Sequence, residues 1–111
     1  MTGPVRPERG ALLEFDALLE KLEQLAVEGD RERYDNDERY RWVIHRLWIA
    51  VGNEVAYLDL AVAQTQPWDG LRKLRNELAH VRLPDIDEDK VWRLTTIRPA
   101  DLRQRLHDLR R

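Results

Sequence analysis

Apolar positions along the chain recur mostly at helical spacing. From Ala11 to about Glu28, Leu12, Phe15, Leu18, Leu19, Leu22 and Leu25 return every three or four residues, and Gly29 marks a stop. A charged linker, GDRERYD, is expected to fray. Beyond it, the pattern predicts one long helix from about Asp37 to Gln64, capped by Asn36 or Asp35. Its main stripe is Tyr40, Val43, Ile44, Leu47, Val51, Val55, Leu58 and Val62. A second stripe of Trp42, Ile49, Ala56 and Ala63 lies nearly opposite at heptad spacing. A helix apolar on two sides is either central in a bundle or packed on another subunit.

Gln66-Pro67 ends this element, and Trp68 to about Val81 predicts the next helix, with Leu71, Leu74, Leu78 and Val81 on one side. Pro84 interrupts the chain. Ile86-Asp87 leads into a short helix around Glu88 to Leu94 carrying Val91 and Trp92, and Pro99 suits the first turn of a last helix with Leu102, Leu106 and Leu109. Residues 1–10, with Pro4 and Pro7, read as a flexible tail. No segment alternates as a strand does, and neither a glycine-rich phosphate loop nor an internal repeat occurs. The expected fold class is all-α: an antiparallel bundle of four main helices plus a short fifth, forming one domain over residues 11–111.

Composition narrows the chemistry. The absence of Cys excludes disulfides, thiolate metal sites and cysteine nucleophiles, and suits a reducing cytoplasm. No apolar run approaches the ~20 residues of a membrane span, and the start MTGPVRPERG lacks the core of a signal peptide, so a soluble cytoplasmic protein without membrane contact is expected. The net charge of −2 does not mark a nucleic-acid binder by itself. Charge is unevenly spread, however: residues 8–40 carry a net −6 and residues 93–111 a net +4. Such blocks either expose a local basic surface or pair with each other.

Chemistry concentrates in RNELAH, Arg75 to His80. On a helical wheel, Arg75, Arg72, Asn76, His80 and Lys73 spread over the side away from the leucines. Asn76 and His80 are stacked neighbours at i and i+4, whereas Arg75 and His80 stand about 140° apart. An imidazole exchanges protons near neutral pH, and a guanidinium stabilises a phosphorane through paired hydrogen bonds. RNA suits such a site, because its 2′-hydroxyl is an internal nucleophile and no metal is required. The plain alternative is a helix end whose His meets the last carbonyls. Spacing alone decides nothing: with 16 Arg and 3 His, an Arg and a later His with four to six residues between them are expected about 1.3 times by chance and occur twice, the second pair being Arg39 and His45.

Other candidates have plainer readings. His45, near the second stripe, is expected to be packed or interfacial, and His107 to cap or solvate the last helix. Glu54, inside the main stripe, requires a buried partner. Asp85, Asp87, Glu88 and Asp89 lack the ligand order of a calcium loop and read as first-turn acids of the next helix; no metal and no cofactor are expected. Trp42, Trp48, Trp68 and Trp92 suit core or dimer packing, leaving Tyr34 as the aromatic expected to be exposed.

The order of features resembles the HepT-like family of the HEPN superfamily, small helical domains paired with MNT-type nucleotidyltransferases in toxin–antitoxin systems. The matching residues are Gly52 and Glu54 in AVGNEVAYL, Pro67-Trp68, Leu74-Arg75-Asn76, Leu78-Ala79-His80, Ile86-Asp87 and Val91-Trp92, so the resemblance covers roughly residues 35–110. It implies a HEPN-like bundle that forms a homodimer, with the motif helices of both protomers lining one cleft, and a metal-independent endoribonuclease neutralised by the MNT-type antitoxin. Carried over, His80 is the acid/base, Arg75 the phosphate clamp and Asn76 the residue orienting His80. Glu54 orients or charge-balances the site, and Arg72 and Arg82 support it. The heptad Trp42, Ile49, Ala56 and Ala63 is the expected dimer interface. One departure stands out: the family's Tyr two residues after the His is Arg82 here, which excludes AMP addition to a tyrosine at that position. The alternative reading is a catalytically degenerate HEPN dimer that binds protein or nucleic acid.

Overall fold

The computed structural model of the protein describes residues 9–109. These form α1 (Arg9–Glu28), α2 (Arg31–Asn36), α3 (Glu38–Glu54), a 3-10 turn at Val55–Tyr57, and α4 (Leu60–Ala63). There follow α5 (Trp68–His80), a 3-10 turn at Leu83–Asp85, and α6 (Glu88–Leu109). No strand occurs among the described residues, so the chain is an all-α bundle built on α1, α3, α5 and α6. The tail expected at 1–10 lies outside the described residues up to residue 8, while Arg9 and Gly10 already belong to α1.

The core follows the predicted stripes closely. Leu12, Phe15, Leu19 and Leu22 of α1 pack with Tyr40, Ile44, Trp48 and Val51 of α3, Leu71, Leu74 and Leu78 of α5, and Val91, Leu102 and Leu106 of α6. Phe15 meets Trp68 edge to face at 5.7 Å between centroids, an arrangement in which a ring's positive edge meets a negative face. Val43 departs from its stripe and is half exposed.

Five expectations need correction. The long helix predicted from Asp37 to Gln64 ends at Glu54. Leu58 and Asp59 then take extended backbone, which buries Val55 and Leu58 while Tyr57 and Leu60 face outward. Asp is a poor helix-interior residue because its carboxylate competes for nearby backbone, and here it sits at the break. The cap of α3 is Asp37, whose carboxylate accepts from the Tyr40 N–H at 3.2 Å, and neither Asn36 nor Asp35 serves; Asn36 is the last residue of α2.

The short helix at 88–94 and the last helix are one continuous α6, with Pro99 buried inside it. Proline removes an intrahelical hydrogen bond. Buried Val91 and Thr95 before it and Leu102 and Leu106 after it supply the tertiary packing that carries the helix through.

The linker GDRERYD does not fray. Asp30 caps α2 by accepting from the Arg33 N–H at 2.8 Å, and Arg31 bridges Asp35 and Asp89. Tyr34, expected to be exposed, is fully buried against Trp92, with ring centroids 5.2 Å apart. The exposed aromatics among the described residues include Trp42 and Tyr57.

The uneven charge has a structural use. Arg103 of α6 binds Asp16 at 2.9 Å, Glu23 at 3.0 Å and Glu20 at 3.3 Å, all on α1. The acidic and basic blocks therefore pair, at least in part, across the α1–α6 contact. No helix among the described residues is long and apolar enough to cross a membrane.

Candidate functional site

The site rests on a close approach of α3 and α5. Gly52 is buried where the helices meet, and a Cβ added there would overlap the Cβ of Arg75 and lie 2.8 Å from the backbone oxygen of Leu71. A residue with no side chain is what lets the base of Arg75 lie against the α3 backbone. Leu71, Leu74 and Leu78 hold the other face of α5 in the core.

From that base the Arg75 guanidinium is fixed at two nitrogens. Nε donates to Asn53 Oδ1 at 2.8 Å, and Nη1 donates to Asn76 Oδ1 at 2.8 Å. Nη2 makes no hydrogen bond to a described residue, so one edge of the fork stays available. Arg75 and Asn76 are half-buried, whereas Asn53 is exposed. Arginine presents a rigid planar fork, so anchoring two of its nitrogens also sets the direction of the third.

His80 is the last residue of α5 and is exposed. It makes no hydrogen bond among the described residues, so its imidazole is open to a ligand. The Asn76 carboxamide oxygen is engaged by Arg75, and no bond joins Asn76 to His80. Within one chain, Asn76 thus orients Arg75.

The remaining candidates separate. Arg72 is exposed and bonds Asp69 at 2.8 Å. Arg72, and after it Lys73, hold the Asp69 carboxyl below its ordinary range. Arg82 is exposed just beyond α5, at the start of the Leu83–Asp85 turn. Glu54, expected to need a buried partner, forms no ion pair among the described residues. Burial, and secondarily the charge of Glu14, push its carboxyl above the usual range. It lies partly buried at the end of α3, one residue from Asn53.

The predicted heptad does not stay on one helix. Trp42 and Ile49 lie on α3, but Ala56 falls in the 3-10 turn and Ala63 at the end of α4. The break at Leu58–Asp59 removes the periodicity that would align all four. Of the four acids expected in the first turn of α6, Glu88 and Asp89 occupy it; Asp87 precedes the helix and accepts from the Lys90 N–H at 3.1 Å, and Asp85 belongs to the separate Leu83–Asp85 turn.

Comparison of the chain with protein-family models, with characterised proteins and with solved structures gives no match. The reading of the site accordingly rests on its residues.

Sequence reasoning missed two arrangements. Asn53 follows Gly52 directly, and a polar residue beside a helix-crossing glycine is the signal that could have placed it against Arg75. The second is a buried polar cluster that ties α2, α3 and α6 together. Tyr34 donates to Glu88 Oε1 at 2.5 Å, and His45 Nε2 lies 2.8 Å from the same oxygen and 3.1 Å from the Tyr34 hydroxyl. Arg41 stands 3.8 Å from the other Glu88 oxygen. His45 is buried, as its position among apolar residues predicted. Burial, and then the Glu88 carboxylate, raise the Tyr34 hydroxyl far above its ordinary pKa and keep it protonated as a donor.

Proposed function

We propose that the chain is a HepT-like, HEPN-type ribonuclease that cleaves RNA without a metal ion. The observation that carries this reading is the anchored Arg75 guanidinium, fixed by Asn53 and Asn76 with one nitrogen open, on the helix that ends in the exposed His80. An oriented guanidinium suits the developing charge of a phosphorane, and a solvent-accessible imidazole suits proton transfer.

In the proposed reaction, His80 takes the proton of the ribose 2′-hydroxyl, and the 2′-oxygen forms a bond to phosphorus. The bond from phosphorus to the 5′-oxygen breaks, that oxygen takes a proton from solvent water, and His80 returns its own proton to solvent. The products are a 2′,3′-cyclic phosphate and a 5′-hydroxyl. Arg75 holds the non-bridging oxygens throughout.

Arg75 and His80 stand about 140° apart on α5. A homodimer that lines one cleft with both copies of α5 would bring Arg75 of one chain towards His80 of the other. The partner that would silence the toxin is an MNT-type nucleotidyltransferase. Arg82 stands at the position of the family tyrosine, which excludes AMP addition there, so in this proposal either the partner silences the toxin by simple binding or this chain is not a fully active toxin.

The test is cleavage in the presence of a metal chelator, with an RNA and its 2′-deoxy counterpart compared. Cleavage of the RNA to a cyclic phosphate, with the deoxy strand intact, supports the reading. Equal cleavage of both, or loss of activity on chelation, overturns the mechanism.

A further inference from the structure

Of the outward face of α3, only its last residue, Asn53, takes part in the site described so far. Arg39, Trp42, Val43, Arg46, Ala50 and Asn53 fall at helical spacings of three, four and seven, so they line one side of the helix. All are exposed except Ala50, which is partly so, and Trp42 is 48% accessible. Arg31, Arg33 and Arg41 nearby are each held by carboxylates, yet Arg39 and Arg46 form no hydrogen bond or ion pair among the described residues. Residues 39–53 contain no Asp or Glu, although the chain has 21. The same face ends at Asn53, which holds Arg75.

We propose that this face of α3 is the track on which single-stranded RNA reaches Arg75, with Arg39 and Arg46 on backbone phosphates and Trp42 stacked on a base. The inference takes its substrate class from the ribonuclease reading above. Two unpaired cations, two helical turns apart and flanking an exposed indole, match the way proteins bind single strands: charge follows the backbone while an aromatic ring takes the face of a base. A duplex hides those base faces, so Trp42 selects a single strand.

A second copy of the chain fits the face less well. A two-fold contact sets a patch against itself. Here that would bring Arg39 and Arg46 against their own copies along residues 39–53, a stretch whose nearest carboxylates on α3 are Glu38 and Glu54 at its two ends. A polyanion supplies the missing charge.

The experiment measures binding of a fluorescent oligouridylate by anisotropy over a range of salt, in the His80→Ala background so that the strand stays intact. Arg39→Ala with Arg46→Ala is expected to flatten the logarithmic salt dependence by about 1.4, two phosphate contacts on a single strand. Trp42→Ala is expected to weaken binding about tenfold, and Trp42→Phe much less. Unchanged affinity and slope overturn the track. So does a dimer that Trp42→Ala dissociates while RNA binding stays intact, since the face would then join two copies. Wild-type cleavage, assayed in parallel, separates the two claims. Cleavage with unaltered binding in the α3 variants removes the track and leaves the ribonuclease, whereas the predicted binding losses without any cleavage leave the track and remove the ribonuclease.

Discussion

Gly52 and Arg75 share one small volume at the crossing of α3 and α5: a Cβ on Gly52 would occupy the space of the Arg75 Cβ and press on the Leu71 carbonyl. Alanine in place of a helical glycine gains up to about 1 kcal/mol in propensity. Overpacking against a backbone atom costs about 1–3 kcal/mol. Gly52→Ala should therefore be destabilising on balance, and it should shift Arg75 as α5 moves away. Denaturant unfolding checks the first effect, and RNA cleavage by the folded fraction checks the second.

Trp48 and Thr95 hold a hydrogen bond deep in the core. The indole N–H donates to Thr95 Oγ1 at 2.9 Å, and the Thr95 hydroxyl donates to the Val91 carbonyl at 2.7 Å. Thr95→Val keeps the shape and leaves the buried N–H without an acceptor, so a loss of about 1–3 kcal/mol is expected. Thermal and denaturant unfolding of the variant measure it, and Thr95→Ser should retain most of the bond.

Tyr34 joins His45 and Glu88 across three helices. Its hydroxyl pKa is raised on folding, so the stability it contributes is complete below the unfolded value of about 10 and is lost as pH rises beyond it. Wild-type stability should fall as pH rises above about 10, and Tyr34→Phe should flatten that decline. At neutral pH, Tyr34→Phe should cost about 1.5–3 kcal/mol, since it deletes a hydrogen bond to a charged group but leaves His45 on Glu88. Unfolding curves over neutral and alkaline pH test both statements.

Glu54 is raised by burial and by Glu14, so its ionised form is disfavoured in the folded chain. The sign is opposite to that of a paired carboxylate: stability is greatest below the unfolded value of about 4.3 and falls as pH rises through the folded one. Glu54→Gln should thus raise the melting temperature at neutral pH, with the gain shrinking in acid. A lower melting temperature at neutral pH would mean that Glu54 has a partner that stabilises its charge.

Much of the bundle was legible because burial follows period. The leucines of α1 and α5 and the Tyr40, Ile44 and Val51 positions of α3 read directly as core. What failed was decided by tertiary contact. The break after Glu54 buries Leu58, Pro99 is tolerated because the packing of α6 continues on both sides, and Tyr34 is buried because Glu88, 54 residues away, accepts its hydrogen bond. In the candidate site, Arg75, Asn76 and His80 could be named from the sequence. That Asn53 and Asn76 both hold Arg75 depends on the register of α3 against α5, which periodicity does not specify.

The most direct measurement of the central claim is the rate of metal-free RNA cleavage by wild type and His80→Ala, with helicity checked by circular dichroism. A general acid/base contributes about 10²–10⁴-fold, so a folded His80→Ala protein should cleave at least about a hundred times more slowly. An unchanged rate in that variant would contradict the assignment of His80, and with it the account of the site.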